Sequence, residues 1–132
     1  MALQLLVVTP ERKAVEAEAD EVELPGSEGY LGILPGHTPL ITLLKPGVLS
    51  YRRAGRSEAL AVSAGFAEIS SDRVSVLVDS AERGSEVDTA AAEGERARAE
   101  EAMKTADAGS LAAIRARVEL AEARLTAARR PA

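Results

Sequence analysis

The 132-residue chain contains no cysteine and no tryptophan, and its aromatic side chains are Tyr30, Tyr51 and Phe66 alone. Without thiols there is no disulfide framework, no thiolate nucleophile and no cysteine-based metal site. With so few rings the core has to be built from Val, Leu, Ile and Ala. The single histidine, His37, has no second His or Cys as a co-ligand, so no metal site is expected. A net charge of −5 argues against a nucleic-acid surface, because phosphate recognition leans on clustered Lys and Arg. No apolar run approaches the roughly 20 residues that a bilayer-spanning helix needs. No direct membrane insertion is therefore expected, and any membrane association goes through a partner. The apolar run from Leu3 to Val8 has no basic stretch before it and no small-residue cleavage site after it, and reads as a first strand rather than a signal peptide.

A chain of this size forms one domain, or one domain with an appendage, and can bury a real core. Up to about residue 83 it reads as strands. Leu3 to Thr9 is an apolar run closed by Pro10, and Val15, Ala17, Ala19, Val22 and Leu24 alternate with acids at a period near two. Short apolar runs follow at 31–34, 40–44, 48–51, 59–62, 66–69 and 74–78, separated by turn signals at Pro46-Gly47, Ala54-Gly55, Ala64-Gly65 and Ser71-Asp72. This spacing predicts a sandwich or barrel. From Gly84 the chain turns rich in Ala, Glu and Arg, all strong helix formers, with no proline before Pro131. Ser85-x-x-Asp88 suggests a capping box opening a first helix, and Asp107-Ala-Gly-Ser110 breaks it, with Ser110 placed to cap a second. The expected fold is an N-terminal antiparallel β-sandwich, residues 1–84, followed by a C-terminal two-helix antiparallel hairpin, residues 85–132.

On the second helix Leu111, Ile114, Val118, Ala121, Leu125 and Ala128 follow one another at alternating steps of three and four, the narrow stripe of a coiled-coil seam. The first helix answers it mostly with alanine, at Ala92, Ala99 and Ala102 with Glu95 between, or at Ala92, Ala99 and Met103 with Arg96. At about 25 cal/mol per Å² of apolar area, alanines facing leucines stabilise far less than leucine pairs would. Gly94 inside the first helix costs roughly 1 kcal/mol more. The hairpin is therefore expected to dock weakly. Charge divides as well, at −5 for residues 1–86, −3 for 87–107 and +3 for 108–132, so only the last helix is basic and suited to an acidic partner.

The stretch from Leu24 to Leu40 holds three of the six prolines and four of the ten glycines, so the backbone turns sharply more than once there. Leu31, Ile33 and Leu34 supply apolar anchors, which suits a surface held in one shape. The run Gly29-x-x-Gly32-Ile33-Leu34-Pro35-Gly36-His37-x-Pro39-Leu40, then Leu44-Lys45-Pro46-Gly47 and Ser63-Ala64-Gly65-Phe66, resembles the epsilon chain of bacterial F-type ATP synthases from about Leu3 to the C-terminus.

That resemblance implies a non-catalytic rotor subunit on the cytoplasmic face of the bacterial plasma membrane, peripheral to it, without a cofactor. Its partners would be the gamma chain, the membrane-embedded proton-carrying ring and, when the hairpin extends, the alpha and beta chains of the catalytic head, whose ATP hydrolysis the hairpin would inhibit. The ring contact would fall on Glu28, Gly29, Tyr30, Leu31 and His37, with an aromatic at Tyr30 where the family often has an acid. The inhibitory helix would present Arg115, Arg117, Arg124, Arg129 and Arg130. Some members hold ATP through an acidic-x-x-Arg-Ala signature and two helix-two arginines. Here Asp88 and Arg124 match, but Ala91 and Leu120 stand where the other arginines would be, so any nucleotide affinity should be weak. Read from the residues alone, two alternatives stay open. One is a stand-alone β-sandwich binding module with a helical oligomerisation tail. The other is a small lyase or isomerase using Glu28 and His37 as an acid/base pair.

Overall fold

The computed structural model describes residues 2–130. Ten strands precede two helices: β1 (Leu3–Val8), β2 (Lys13–Ala19), β3 (Glu21–Gly26), β4 (Gly29–Ile33), β5 (Leu40–Leu44), β6 (Gly47–Arg53), β7 (Arg56–Val62), β8 (Gly65–Ile69), β9 (Arg73–Val78), β10 (Ala81–Arg83), a 3-10 turn at Gly84–Glu86, then α1 (Thr89–Met103) and α2 (Ala108–Arg129). The strands form two layers. One runs β10-β7-β6-β3 with β4 on β3, the other β5-β8-β9-β1-β2, and the Gly26–Leu44 pairing joins them.

Period-two alternation sends one set of side chains from each layer into the space between. Leu3, Leu5, Val7, Ile69, Val74 and Val76 from the second layer meet Val22, Leu24, Ile33, Leu49, Leu60 and Val62 from the first, all buried. The core is aliphatic, as the scarcity of rings requires; the one aromatic in it is Tyr51.

Four details differ from the sequence reading. The sandwich is not wholly antiparallel, because β1 lies parallel to β9. The alternating stretch from Val15 to Leu24 is two strands broken at Asp20, whose carboxylate accepts from the Ala54 amide at 2.9 Å and fixes a corner there. Leu34 is no anchor, being exposed, while Ile33 is fully buried. The helix caps are aspartates: Asp88 accepts from the Ala91 amide to open α1, and Asp107 accepts from the Ser110 amide to open α2. Neither Ser85 nor Ser110 is a cap. Ser85 lies in the 3-10 turn, and the Ser110 hydroxyl donates to Asp107. An aspartate carboxylate at the cap also meets the positive end of the helix dipole, which a hydroxyl does less well.

Candidate functional site

The two outer faces of the sandwich differ. On the β6–β7 side the outward residues are small: Val48 and Ala61 are buried and Ala59 half-buried, and α2 lies over them through Ala123 and Ala127. Ala123 sits two residues beyond Ala121 of the α1-facing stripe, about 200° further round a helix with 100° per residue. Thus α2 carries two apolar faces and lies between α1 and the body. Two ion pairs flank this contact, Arg124 to Glu82 at 2.8 Å, part-buried, and Lys45 to Glu119 at 4.0 Å. At the end of β10, Arg83 donates to the Tyr51 hydroxyl, to Glu58 at 2.6 Å and to the Ala14 carbonyl, tying the last strand to the body below the hairpin. Its pKa is raised, chiefly by the Tyr51 hydrogen bond.

The five arginines of α2 are not equivalent. Arg117 donates twice to Glu95 of α1, at 3.2 and 3.0 Å, which fixes the hairpin's register with Glu95 toward α2. The Glu95 carboxyl is held below the usual range by Arg117 first and then by Arg98. Arg124 is engaged with Glu82, whereas Arg115, Arg129 and Arg130 are exposed and have no ion-pair partner among the described residues. Asp88, the other residue matched to a nucleotide signature, is occupied as the α1 cap at 3.1 Å from the Ala91 amide.

On the opposite face the second layer lies bare. Cross-strand pairing sets Leu43 beside Phe66 and Phe66 beside Leu77, and β1 adds Val8 next to Leu77. Leu43 is 67% exposed, Phe66 42% and Leu77 44%, with Ile41 at 69% one step along β5. Cross-strand neighbours on a sheet stand about 5 Å apart and same-face neighbours along one strand about 7 Å, so the four make one continuous patch. The patch opens into a cleft of about 480 Å³ bordered by Val8, Pro10, Ala64, Phe66, Leu77 and Val78. Contiguous apolar surface of this kind marks an interaction site. Sequence reading passed over these residues because Leu40 to Leu44 is apolar almost throughout, the pattern of a strand buried on both sides.

The Leu24–Leu40 stretch proves to be two turns separated by β4. At one end Gly29, at φ 132, allows the tight turn carrying Ser27 and Glu28, and the Ser27 amide donates to the Leu43 carbonyl. Glu28, Gly29 and Tyr30 are exposed and Leu31 is half-buried. Tyr30 is 53% exposed, but its hydroxyl accepts from the Val48 amide at 3.1 Å, so the ring lies against the body beside the α2 contact. At the other end the Gly36 amide donates to the Ser71 carbonyl at 2.6 Å, and His37 Nδ1 lies 2.6 Å from the Thr38 carbonyl oxygen. The four steps of β4 separate these ends by about 13 Å. Glu28 and His37 are therefore not brought together as an acid/base pair.

Residues 2–84 match the family described as ATP synthase, delta/epsilon chain, β-sandwich domain. A sandwich of that family with a helical hairpin on one face defines an accessory stalk subunit of an ATP synthase, not a catalytic chain. An ATP synthase epsilon chain from Moorella thermoacetica is 46% identical over 129 residues, 96% of either chain. One from Solibacter usitatus is 42% identical over 127 residues, 96% of this chain and 95% of that one. The fold also resembles a chain in the cryo-EM structure of Euglena gracilis mitochondrial ATP synthase, OSCP/F1/c-ring in rotational state 1, with a TM-score of 0.82, 21% identity, and coverage of 96% and 81% of the two chains. The chain belongs to the ATP synthase epsilon-chain family.

Proposed function

We propose that this chain couples the proton-carrying ring to the catalytic head as part of the central stalk, and that residues 1–84 and 85–132 divide the work. The observation that carries this reading is the contrast between a bare apolar patch and a helix-covered face on opposite sides of one sandwich. The patch of Ile41, Leu43, Phe66 and Leu77 is the grip for the gamma chain, because its side chains are long and its neighbouring cleft can receive a side chain from outside. The turn at Glu28–Leu31 and His37 at the far end of β4 together meet the polar loops of the ring, with an aromatic at Tyr30 where the family often has an acid. The body thereby sits peripherally at the cytoplasmic face of the plasma membrane, and no helix among the described residues is long and apolar enough to cross it.

The hairpin restrains ATP hydrolysis when it leaves the body and enters the head, where Arg115, Arg129 and Arg130 are free at once, Arg124 becomes free on release, and Arg117 becomes free only when α2 also parts from Glu95 of α1. The seat supports this reading, since it is built from alanines and one valine and so buries little apolar area. With Asp88 capping α1 and Arg124 on Glu82, both nucleotide-matched groups are already engaged, which supports weak ATP affinity in the docked form.

Co-elution of the full chain with purified gamma chain at micromolar concentration tests the grip, and its absence overturns it. Ending the chain at Gly84 is expected to raise hydrolysis by the assembled enzyme while leaving assembly intact. Unchanged hydrolysis would make the hairpin a passive appendage.

A further inference from the structure

Gly84 stands where the body ends and the hairpin begins, and α2 returns to lie directly against it. A Cβ built on Gly84 would overlap the carbonyl oxygen of Ala127, stand 2.7 Å from its carbonyl carbon and 3.3 Å from the Ala128 nitrogen. Those three nearest atoms are all α2 backbone. A backbone cannot turn aside as a flexible side chain can, so the whole helix would have to lift. The backbone of Gly84 is not among the positive-φ glycines, which are Gly29, Gly36 and Gly55. Its own conformation therefore admits an L side chain, and the turn does not require glycine. The close approach of α2 does.

The rest of the contact depends on the same spacing. Val48, Ala59 and Ala61 against Ala123 and Ala127 offer no long side chain that could follow a receding helix and keep the gap filled. Dispersion contact falls away within an ångström, so a small outward shift empties the seat. The Arg124–Glu82 pair, at 2.8 Å and part-buried, lies beside it and lengthens with the same movement. We propose that Gly84 and the Arg124–Glu82 pair together form the latch that holds the hairpin down. Gly84 sets the closing distance, and the ion pair fixes which way round the helix sits. The latch is a property of the isolated chain; its regulatory meaning rests on the reading of the hairpin given above.

One consequence concerns Arg124. While docked it serves Glu82, so it cannot simultaneously serve an acidic partner. Capture of Arg124 elsewhere and loss of the latch are therefore one event.

The test is amide hydrogen exchange across residues 108–129 in the full chain, alone in solution, comparing wild type with Gly84→Ala, Arg124→Gln and Gly109→Ala. Gly109 is the control: a Cβ there meets only Asp107 Oδ1 at 3.5 Å, an ordinary contact. Gly84→Ala is expected to speed exchange in α2 by about tenfold, with β6 and β7 as protected as before. Arg124→Gln is expected to speed it by about threefold and to lessen its dependence on salt, the Lys45–Glu119 pair remaining. Gly109→Ala is expected to leave it unchanged or slow it. The proposal is overturned if Gly84→Ala leaves α2 within about twofold of wild type. It is also overturned if β6 and β7 lose protection together with α2, which would make Gly84 a folding residue of the body. Because no gamma chain or catalytic head is present, these outcomes stand apart from the co-elution and hydrolysis results.

Discussion

The two outer faces of the sandwich are built from the same strand alternation and end in opposite states. The β6–β7 face carries Val48, Ala59 and Ala61, small enough for a helix backbone to come close, and the chain covers it itself. The β5-β8-β9-β1 face carries Ile41, Leu43, Phe66 and Leu77, and the chain leaves it open. Large apolar groups bury more area per residue than alanines do. On the function proposed above, the open face holds a partner strongly and the covered face lets its helix leave, and the size of the outward residues, rather than their hydrophobicity as such, separates the two contacts.

Four experiments would break or sharpen this contrast. The largest effect is expected from Phe66→Asp. A carboxylate in the middle of the open patch should weaken gamma-chain binding by about 3 kcal/mol, on the order of 100-fold in Kd, with the urea midpoint of the isolated chain barely moved. Binding within about threefold of wild type would remove that face from the interface. The matching change on the covered face, Ala61→Asp, should cost about 2 kcal/mol of docking and make α2 protease-sensitive while leaving gamma binding intact. If gamma binding falls instead, the two faces are not independent.

A smaller effect, about 1 kcal/mol, is expected for Asp88→Ala, which removes the α1 cap. Circular dichroism should register a loss of helix with the β signal kept. The smallest effect concerns pH. The Glu86, Glu95 and Asp107 carboxyls are all held low, chiefly by hydrogen bonds from Arg83, Arg117 and Ser110 respectively. Each therefore binds fewer protons folded than unfolded, so its stabilisation is complete above the ordinary carboxylate range and fades as pH falls through the depressed value. Helix content should stay level from about pH 7 to 5 and decline below about 4. A rise in helix content on acidification would contradict this assignment.

The contrast also shows how far the sequence could be read. Alternating Val and Leu separated by Gly- and Pro-bearing turns made the sandwich legible, and the Ala-Glu-Arg composition made the hairpin legible. The parallel partnership of β1 with β9 was hidden, because alternation fixes which side chains point inward but says nothing of strand direction. The seat of α2 was hidden too. Three-and-four spacing marks one stripe, while Ala123 and Ala127 form a second, made of a residue that is unremarkable anywhere in an alanine-rich helix. Glu28 and His37 lie nine positions apart in sequence, and a short separation suggested closeness; an extended strand between two turns carries them apart instead.

The parallel pairing of β1 with β9 also bears on synthesis. Of the two, β1 (Leu3–Val8) is synthesised long before β9, so it can pair early with β2 but must wait on its other edge for Arg73–Val78. Until residue 78 has emerged from the ribosome, one side of that strand stays open to stray pairing, the hazard of any unpaired edge. Completion of the sandwich is thus postponed until shortly before the hairpin emerges. A released chain truncated before β9 should aggregate, whereas one truncated after Gly84 should not.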